Sequence, residues 1–451
     1  MQIIIVGAGK VGSALVEKLS GENHNITVID SSSEKVNKVT QEFDVMGIIG
    51  NGASISVLSE AGAEIADVFI AVTGSDELNL LCCMFAKKVG DCHTIARVRN
   101  PIYSKELEFI KKQLEISAII NPELACAREI SKLLQFPVAD NIETFADGRV
   151  NLIKFKIEKD MGIDNIPLKD IPSKIGADVL VCAVERGSEV VIPDGNFTLK
   201  ENDLAIIAAS KEKIHTFFSK INRSAHPVKS AIIVGGGTIG FYLAKSLEDT
   251  KVDVRIIEQD AKKCDFLSTM LPNTTILLGD GTDRSLLMTE GLETTDSFIT
   301  LTGIDEENVL MSLFAKKHSD AKLVTKINRL EFDDILSSMD IGSVFYPKYI
   351  TCDFILQHIR SLQNESGSNL KTLYNILDDR VEALEFEVSE NCPITGITFS
   401  ELELRKGLLV CCIMRDGKVI IPRGSDSIQP FDNVIVVTLS HGLKDIQDIL
   451  A

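Results

Sequence analysis

The stretch Ile3–Gly12, IIIVGAGKVG, sets Gly7, Gly9 and Gly12 in the spacing G-x-G-x-x-G directly after an apolar run. In a strand-to-helix turn, such glycines let backbone N–H groups at the helix start approach a pyrophosphate closely, which is nucleotide-binding chemistry. Asp30 stands 23 residues after Gly7, at the end of NITVID. A carboxylate at that strand end can accept hydrogen bonds from ribose hydroxyls, which favours NAD or another adenosine nucleotide over NADP.

The fingerprint is written twice. AIIVGGGTIG at 231–240 carries Gly235, Gly237 and Gly240 in register at an offset of 228, and the same offset takes Asp30 onto Glu258. At an offset of 229, GNGAS (50–54) falls on GDGTD (279–283), and VTGSDELNLLCCMFAKK (72–88) falls on LTGIDEENVLMSLFAKK (301–317) with ten of seventeen residues identical. VLVCAVERGSEVVIPDG (179–195) likewise matches LLVCCIMRDGKVIIPRG (408–424) at eight of seventeen. A repeat of this length is an organising feature of the whole chain. It gives four modules in the order N, C, N, C.

Each N module alternates short apolar runs with helical patterns. In the first copy these are IIIVG, helix 10–20, NITVID, helix 33–42, VMGIIG, helix 54–61, VFIAVTG, helix 76–89 and TIARVR. That alternation predicts an α/β fold with two Rossmann-like, doubly wound parallel-sheet domains, each followed by a smaller α+β domain. The expected boundaries are 1–121 and 229–345 for the N domains and 140–222 and 370–451 for the C domains. Proline-marked turns (NPE at 121–123, YPK at 346–348), helical stretches and the polar links 220–230 and 361–370 join them.

Chemistry beyond nucleotide binding is sparse. Seven histidines (24, 93, 215, 226, 318, 358 and 441) are scattered, and no H-E-x-x-H, G-x-S-x-G or G-x-x-x-x-G-K-[ST] occurs. Ten cysteines include no C-x-x-C, so reduced core thiols are expected, with no metal site. Arg186 and Arg415, paired by the repeat, read as turn-flanking surface residues. A net charge of −18 argues against nucleic acid as a partner. No apolar run approaches the roughly 18–20 residues that cross a bilayer, and Met1 leads straight into a strand pattern, so direct membrane insertion is not expected.

With these residues in hand, the chain resembles the RCK (KTN-type) regulators of potassium transport in their tandem, double-length form. The resemblance rests on the two glycine fingerprints, the strand-end acids, T-G-x-D-E-x-N in both copies, IARVRNP and the N-C-N-C order. It implies NAD or NADH, and also ATP or ADP, as regulatory ligands. By position it implicates Gly7, Ala8, Gly9, Lys10, Val11, Asp30, Asn51, Thr73, Gly74 and Arg97 in the first copy. In the second it implicates Gly235, Gly236, Gly237, Thr238, Ile239, Glu258, Asp280, Thr302, Gly303 and Lys326.

The resemblance further implies a non-enzymatic cytosolic subunit, a homotetrameric ring, held at the inner face of the membrane by a TrkH- or TrkG-type potassium-translocating partner. An NAD-dependent oxidoreductase of unknown substrate is the alternative of a different class. The two clefts are expected to differ. Lys10, Arg97 and Arg99 outweigh Asp30 around the first, whereas Glu258 and Asp280 outweigh Lys326 around the second, where Asn51 and Asn328 change places with Asp280 and Arg99. Polyphosphate should therefore favour the first cleft.

Overall fold

The computed structural model describes the chain except residues 23, 105, 147, 178, 222, 224–226, 330–334, 337–338, 340, 365–368, 378–379 and 441, and the side chains of 361, 363 and 364. The centres of both expected polar links, and His226 and His441, lie outside the described residues. Two units emerge: Met1–Ser131 with Lys229–Ile359, and Lys132–Val228 with Arg360–Ala451.

Strands β1 (Gln2–Val6), β2 (Asn25–Asp30), β3 (Met46–Ile49), β4 (Val68–Ala71), β5 (His93–Arg97) and β6 (Ala118–Ile120) form one sheet. Strands β7 (Asn141–Phe145), β8 (Val150–Lys156), β9 (Leu180–Arg186), β10 (Glu189–Val191) and β11 (Leu204–Ala209) form the next. The pattern then repeats, with β12 (Ser230–Val234), β13 (Asp253–Glu258), β14 (Thr274–Leu278), β15 (Ser297–Thr300), β16 (Lys322–Lys326) and β17 (Ser343–Phe345) in a third sheet. The fourth holds β18 (Leu370–Ile376), β19 (Val381–Glu387), β20 (Leu408–Arg415), β21 (Lys418–Ile420) and β22 (Asn433–Thr438).

In the first unit, the orders β3-β2-β1-β4-β5-β6 and β14-β13-β12-β15-β16-β17 are parallel throughout. Central strands with helices on both faces have no solvent side, which is why Ile3, Ile4, Ile5 and Val6 are all buried. Strand order reverses between β1 and β4, and between β12 and β15. A crevice opens at the carboxyl ends of the strands at such a switch point. The helices Lys10–Ser20, Ser33–Glu42 and Asp76–Val89 have the expected bounds, and the third is Ile55–Glu60.

The two parallel-sheet modules also meet through their last helices. Lys18, on the helix after the first glycine loop, pairs with Asp353 of helix Pro347–Asn364 at 3.0 Å. Ser246, on the helix after the second loop, lies 3.3 Å from Ser131 of helix Pro122–Gln135. Each module's final helix thus lies against the helix that the other module's glycine loop begins.

The second unit is antiparallel, with orders β10-β9-β11-β8-β7 and β21-β20-β22-β19-β18. Its strands are apolar on both faces for a packing reason. Ile153, Phe155 and Ile207 meet Phe217 and Phe218 of helix Lys211–Lys220, while Leu152, Ile206 and Ala208 meet Ala383, Ile435 and Val437 of the repeated sheet. Cys182 and Cys411 occupy equivalent breaks in strand register, and all ten cysteines are buried and free. Arg186 is no simple surface residue. It grips buried Asp203 with two hydrogen bonds of 2.8 and 2.7 Å, as Arg415 grips Asp432 at 2.9 and 2.7 Å.

Candidate functional site

The first glycine of each loop turns the chain with φ near +107° (Gly7) and +108° (Gly235), a region that side chains disfavour. The third admits the helix: a Cβ on Gly12 would stand 1.8 Å from the Gly7 carbonyl oxygen, and one on Gly240 would stand 2.4 Å from that of Gly235. Gly9 and Gly237 differ, since a Cβ there would meet nothing within 4 Å. These two residues cap helices Lys10–Ser20 and Thr238–Asp249 without any side-chain hydrogen bond to the first turn. Open space beside uncapped N–H groups fits a phosphate.

Asp30 is held by its own loop. Its Oδ2 accepts the Ala8 N–H at 2.8 Å and its Oδ1 the Ser32 N–H at 2.9 Å. Glu258 repeats this with Gly236 and Asp260, both at 2.9 Å. Each carboxylate oxygen retains a lone pair for a hydroxyl donor, so the acids suit a ribose. Leu267 accounts for one difference between the copies. A Cβ on Gly236 would stand 2.5 Å from Leu267 Cδ1 and 3.2 Å from Glu258 Cβ, so the second loop has glycine where the first has Ala8.

Asn51 and Asp280 perform one local task. Asn51 Oδ1 accepts the Ala53 N–H at 3.0 Å, and Asp280 Oδ1 accepts the Thr282 N–H and hydroxyl, both at 2.8 Å. Those two bonds hold the Asp280 carboxyl below the usual range.

Two residues that the sequence did not single out brace each cleft. Buried Asn79 accepts from the Thr73 N–H (2.8 Å) and hydroxyl (2.7 Å) and donates to the Arg97 carbonyl (2.9 Å). Asn308 links Thr302 to the Lys326 carbonyl in the same way. Asp76 accepts from the Arg99 and Asn100 N–H groups, and Asp305 from those of Asn328 and Arg329. Their identity in both copies was the available signal.

A cavity of about 880 Å³ opens over the first loop. Gly7, Gly9, Lys10, Val11, Asp30, Asn51, Thr73, Gly74 and Arg97 line it, while Ala8 lies beneath as the donor to Asp30. Thr238, Ile239 and Asn328, expected around the second cleft, line this first cavity instead, because the two modules face one another. A second cavity of about 380 Å³ is lined by Gly235, Gly237, Glu258, Asp280, Thr302 and Gly303. Gly236 serves beneath it, and Lys326 borders both cavities.

Arg99 does not face the first cleft. Its guanidinium is turned to Asp76 and the Gly74 carbonyl, so the expected cation there is supplied by other residues. Lys10, Lys35, Arg97, Lys326 and Lys348 surround this cavity against Asp30 and Glu123, whereas Glu258, Asp280 and Glu307 surround the second against Lys263 and Lys326. The imbalance has the expected direction.

Arg97 lies 3.6 Å from Glu123, and its Nε and Glu123 Oε2 are both buried without a hydrogen-bond partner. Burial lowers the Arg97 pKa against the pull of Glu123, and burial raises that of Glu123. Burial also lowers the Lys326 pKa, with Asp305 opposing and Lys10 assisting. Lys326 Nζ donates to the Leu301 carbonyl at 2.9 Å. The described residues contain no group of three or more metal-ligating side chains.

Two doubly wound sheets with glycine loops, each followed in the chain by an antiparallel sheet, define a tandem RCK-type fold. The solved structure of the GsuK channel bound to NAD superposes with a TM-score of 0.63 at 17% identity, over 97% of this chain and 76% of that one. The GsuK RCK domain gives 0.63 at 17%, over 97% and 92%.

The TrkA-N domain family model matches residues 3–122 and 231–347, and the TrkA-C domain model matches 152–222 and 383–451. The Trk system potassium uptake protein TrkA homolog 1 of Methanosarcina mazei is 31% identical over 455 residues, 99% of each chain. The Trk system potassium uptake protein TrkA of Haemophilus influenzae is 29% identical over 97% of this chain and 95% of its own. The chain belongs to the TrkA family.

Proposed function

We propose that the chain is a cytosolic, nucleotide-binding regulatory subunit that gates a Trk-type potassium uptake system. The observation that carries this reading is the duplicated loop-and-acid cleft: open space at Gly9 and Gly237, uncapped helix starts, and carboxylates at Asp30 and Glu258. We take the ligand as NAD or NADH, or ATP or ADP. The names of the relatives support the transport role, and the NAD-bound channel of the same fold supports the ligand class.

The site residues act by binding. Backbone N–H groups of the loops receive phosphates, Asp30 and Glu258 receive ribose hydroxyls, and Thr73 and Thr302 hold the loop opposite. Module division at 1–121, 140–222, 229–345 and 370–451 is part of the same proposal. So are a homotetrameric assembly and attachment to the inner face of the membrane through a TrkH- or TrkG-type subunit. No helix of the described residues is long and apolar enough to cross a membrane. Gating requires that the ligand bind one state of the assembly more tightly than another, because equal affinity shifts no equilibrium.

No observation favours the oxidoreductase alternative. The deciding experiment is paired: titration of NADH and ATP into the purified protein, and potassium uptake by cells with and without it. Stoichiometric binding with the nucleotide recovered intact, and uptake that depends on the protein, are expected. Sustained NADH oxidation with a physiological substrate would overturn the regulatory reading.

A further inference from the structure

The chain contains a single Asn-Gly pair, Asn51-Gly52, and it borders the first cleft. Asparagine before glycine is the pair most prone to lose its side-chain amide, because no Cβ shields the following backbone nitrogen from the side-chain carbonyl. The fold fixes that glycine. A Cβ on Gly52 would stand 2.3 Å from Val6 Cγ1, as one on Gly281 would stand 2.1 Å from Val234 Cγ1. The residue before it differs between the copies, Asn51 in the first and Asp280 in the second.

The local geometry favours the reaction. Asn51 is exposed and lies in the turn between β3 and helix Ile55–Glu60. Its Oδ1 accepts the Ala53 N–H at 3.0 Å, and its backbone carbonyl accepts the Ser54 N–H at 2.9 Å. This Asx-type turn folds the side-chain carbonyl back over the next residues. The Gly52 N–H has no acceptor among the described residues. When the Gly52 nitrogen adds to Asn51 Cγ, charge develops on Oδ1, where the Ala53 N–H already stands as a donor. The second copy is inert by contrast. Thr282 holds the Asp280 carboxyl below the usual range, and an ionised carboxylate resists such attack.

We propose that Asn51 is a site of spontaneous deamidation, which converts the Gly-Asn-Gly turn of the first cleft into the Gly-Asp-Gly turn of the second. The Gly52 nitrogen gives its proton to hydroxide and bonds to Asn51 Cγ. The Cγ–Nδ2 bond breaks, and ammonia leaves a cyclic succinimide. Water then opens the ring: cleavage between Cγ and the Gly52 nitrogen yields aspartate, and cleavage at the backbone carbonyl yields isoaspartate. In sum, amide and water become carboxylate and ammonium, with no oxidant or reductant. Aspartate can keep the bond from the Ala53 N–H, as Asp280 keeps that from Thr282. Isoaspartate instead inserts a carbon into the main chain beside Gly52, which is packed against Val6. Either product adds a negative charge to a cleft lined by Lys10, Lys35 and Arg97, and so opposes polyphosphate. A nucleotide seated there covers the amide and holds the turn still, so an occupied cleft is protected.

The protection and the loss of affinity rest on the nucleotide-binding reading, whereas the deamidation does not. Full-length protein is held at mildly alkaline pH with and without saturating ATP, and peptide mass spectrometry follows the conversion of amide to carboxyl at each asparagine. Asn37 is the internal reference, since it is also exposed but lies within helix Ser33–Glu42 and precedes a lysine. ATP is titrated calorimetrically into the same preparation and into an Asn51→Asp variant, with thermal melting as a check on folding. Asn51 should convert well before Asn37, ATP should slow it, and Asn51→Asp should weaken the tighter ATP site by about threefold to tenfold. Conversion at Asn51 no faster than at Asn37 would overturn the site. Equal conversion with and without ATP, in protein that binds ATP, would overturn the protection. Wild-type affinity in a folded Asn51→Asp protein would overturn the electrostatic consequence. Failure of the wild-type protein to bind ATP would count against the nucleotide reading and leave the deamidation standing.

Discussion

The Tyr242 hydroxyl, on the helix begun by the second glycine loop, accepts a hydrogen bond from the Asn121 amide at 2.9 Å and donates to the Arg99 carbonyl at 3.2 Å. It therefore ties the second loop's helix to the segment that follows β5, whose last residue, Arg97, borders the first cleft. At the equivalent position the first copy has Ala14, so the tie exists in one direction. Burial raises the Tyr242 pKa, and the hydroxyl remains a donor throughout the neutral range.

A link between the surroundings of two clefts gives a measurable expectation. Tyr242→Phe removes the hydroxyl with little change of shape and should cost about 1 kcal/mol of stability. It should also reduce the dependence of one cleft's affinity on occupancy of the other, a coupling that is typically 1–3 kcal/mol where it exists. Titrating ATP with and without saturating NAD, in wild type and variant, measures it. An identical coupling in both proteins would show that this hydrogen bond transmits nothing.

The glycines separate folding from binding. Gly12→Ala and Gly240→Ala drive a methyl into a backbone carbonyl and should destabilise by about 1–3 kcal/mol or more, because neither partner is a flexible side chain. Gly9→Ala adds its methyl to open space from an extended backbone and should leave the melting temperature nearly unchanged while weakening nucleotide binding. A Gly9→Ala protein with wild-type affinity would show that no ligand approaches the first loop closely.

Much of this was legible along the chain, for a physical reason. A parallel sheet buried on both faces writes each strand as an apolar run, and close helix approach demands glycine at fixed spacing, so both can be read locally. The cleft was legible wherever one module builds it: the loops and the acids Asp30 and Glu258. It was not legible where two modules meet. Nothing near Thr238 or Lys348 announces that they border a cavity opened by Gly7, since that proximity arises from packing between residues more than 200 positions apart. Arg99 was misplaced for the same kind of reason, because Asp76 captures its side chain across the turn. Arg186 looked like a surface residue until buried Asp203 was seen beneath it.

Asn79 and Asn308 should be more sensitive than their lack of ligand contact suggests. Asn79→Ala leaves the Thr73 N–H and the Arg97 carbonyl without their partner, at a cost on the order of 2–4 kcal/mol. The Thr73–Gly74 loop borders the first cavity, so affinity there should fall as well. Asn308→Ala should mirror this at the second cleft. Urea unfolding together with two-site titration tests the pair, and a wild-type unfolding midpoint in both variants would show that the asparagines brace nothing.

Lys326 makes the pH dependence of binding predictable in sign. Burial holds its pKa below the ordinary 10.5, so the folded protein gives up this proton before the unfolded chain does. Between the lowered value and 10.5 the unfolded state binds more protons, and this group's contribution to stability rises with pH. Phosphate affinity should move the other way, falling as the ammonium is lost on the alkaline side, whereas the phosphate's own titration lies near 6. Lys326→Arg keeps its charge throughout that range and should flatten the fall. Nucleotide affinity measured against pH for both proteins gives the answer, and parallel profiles would mean that some other group sets the dependence.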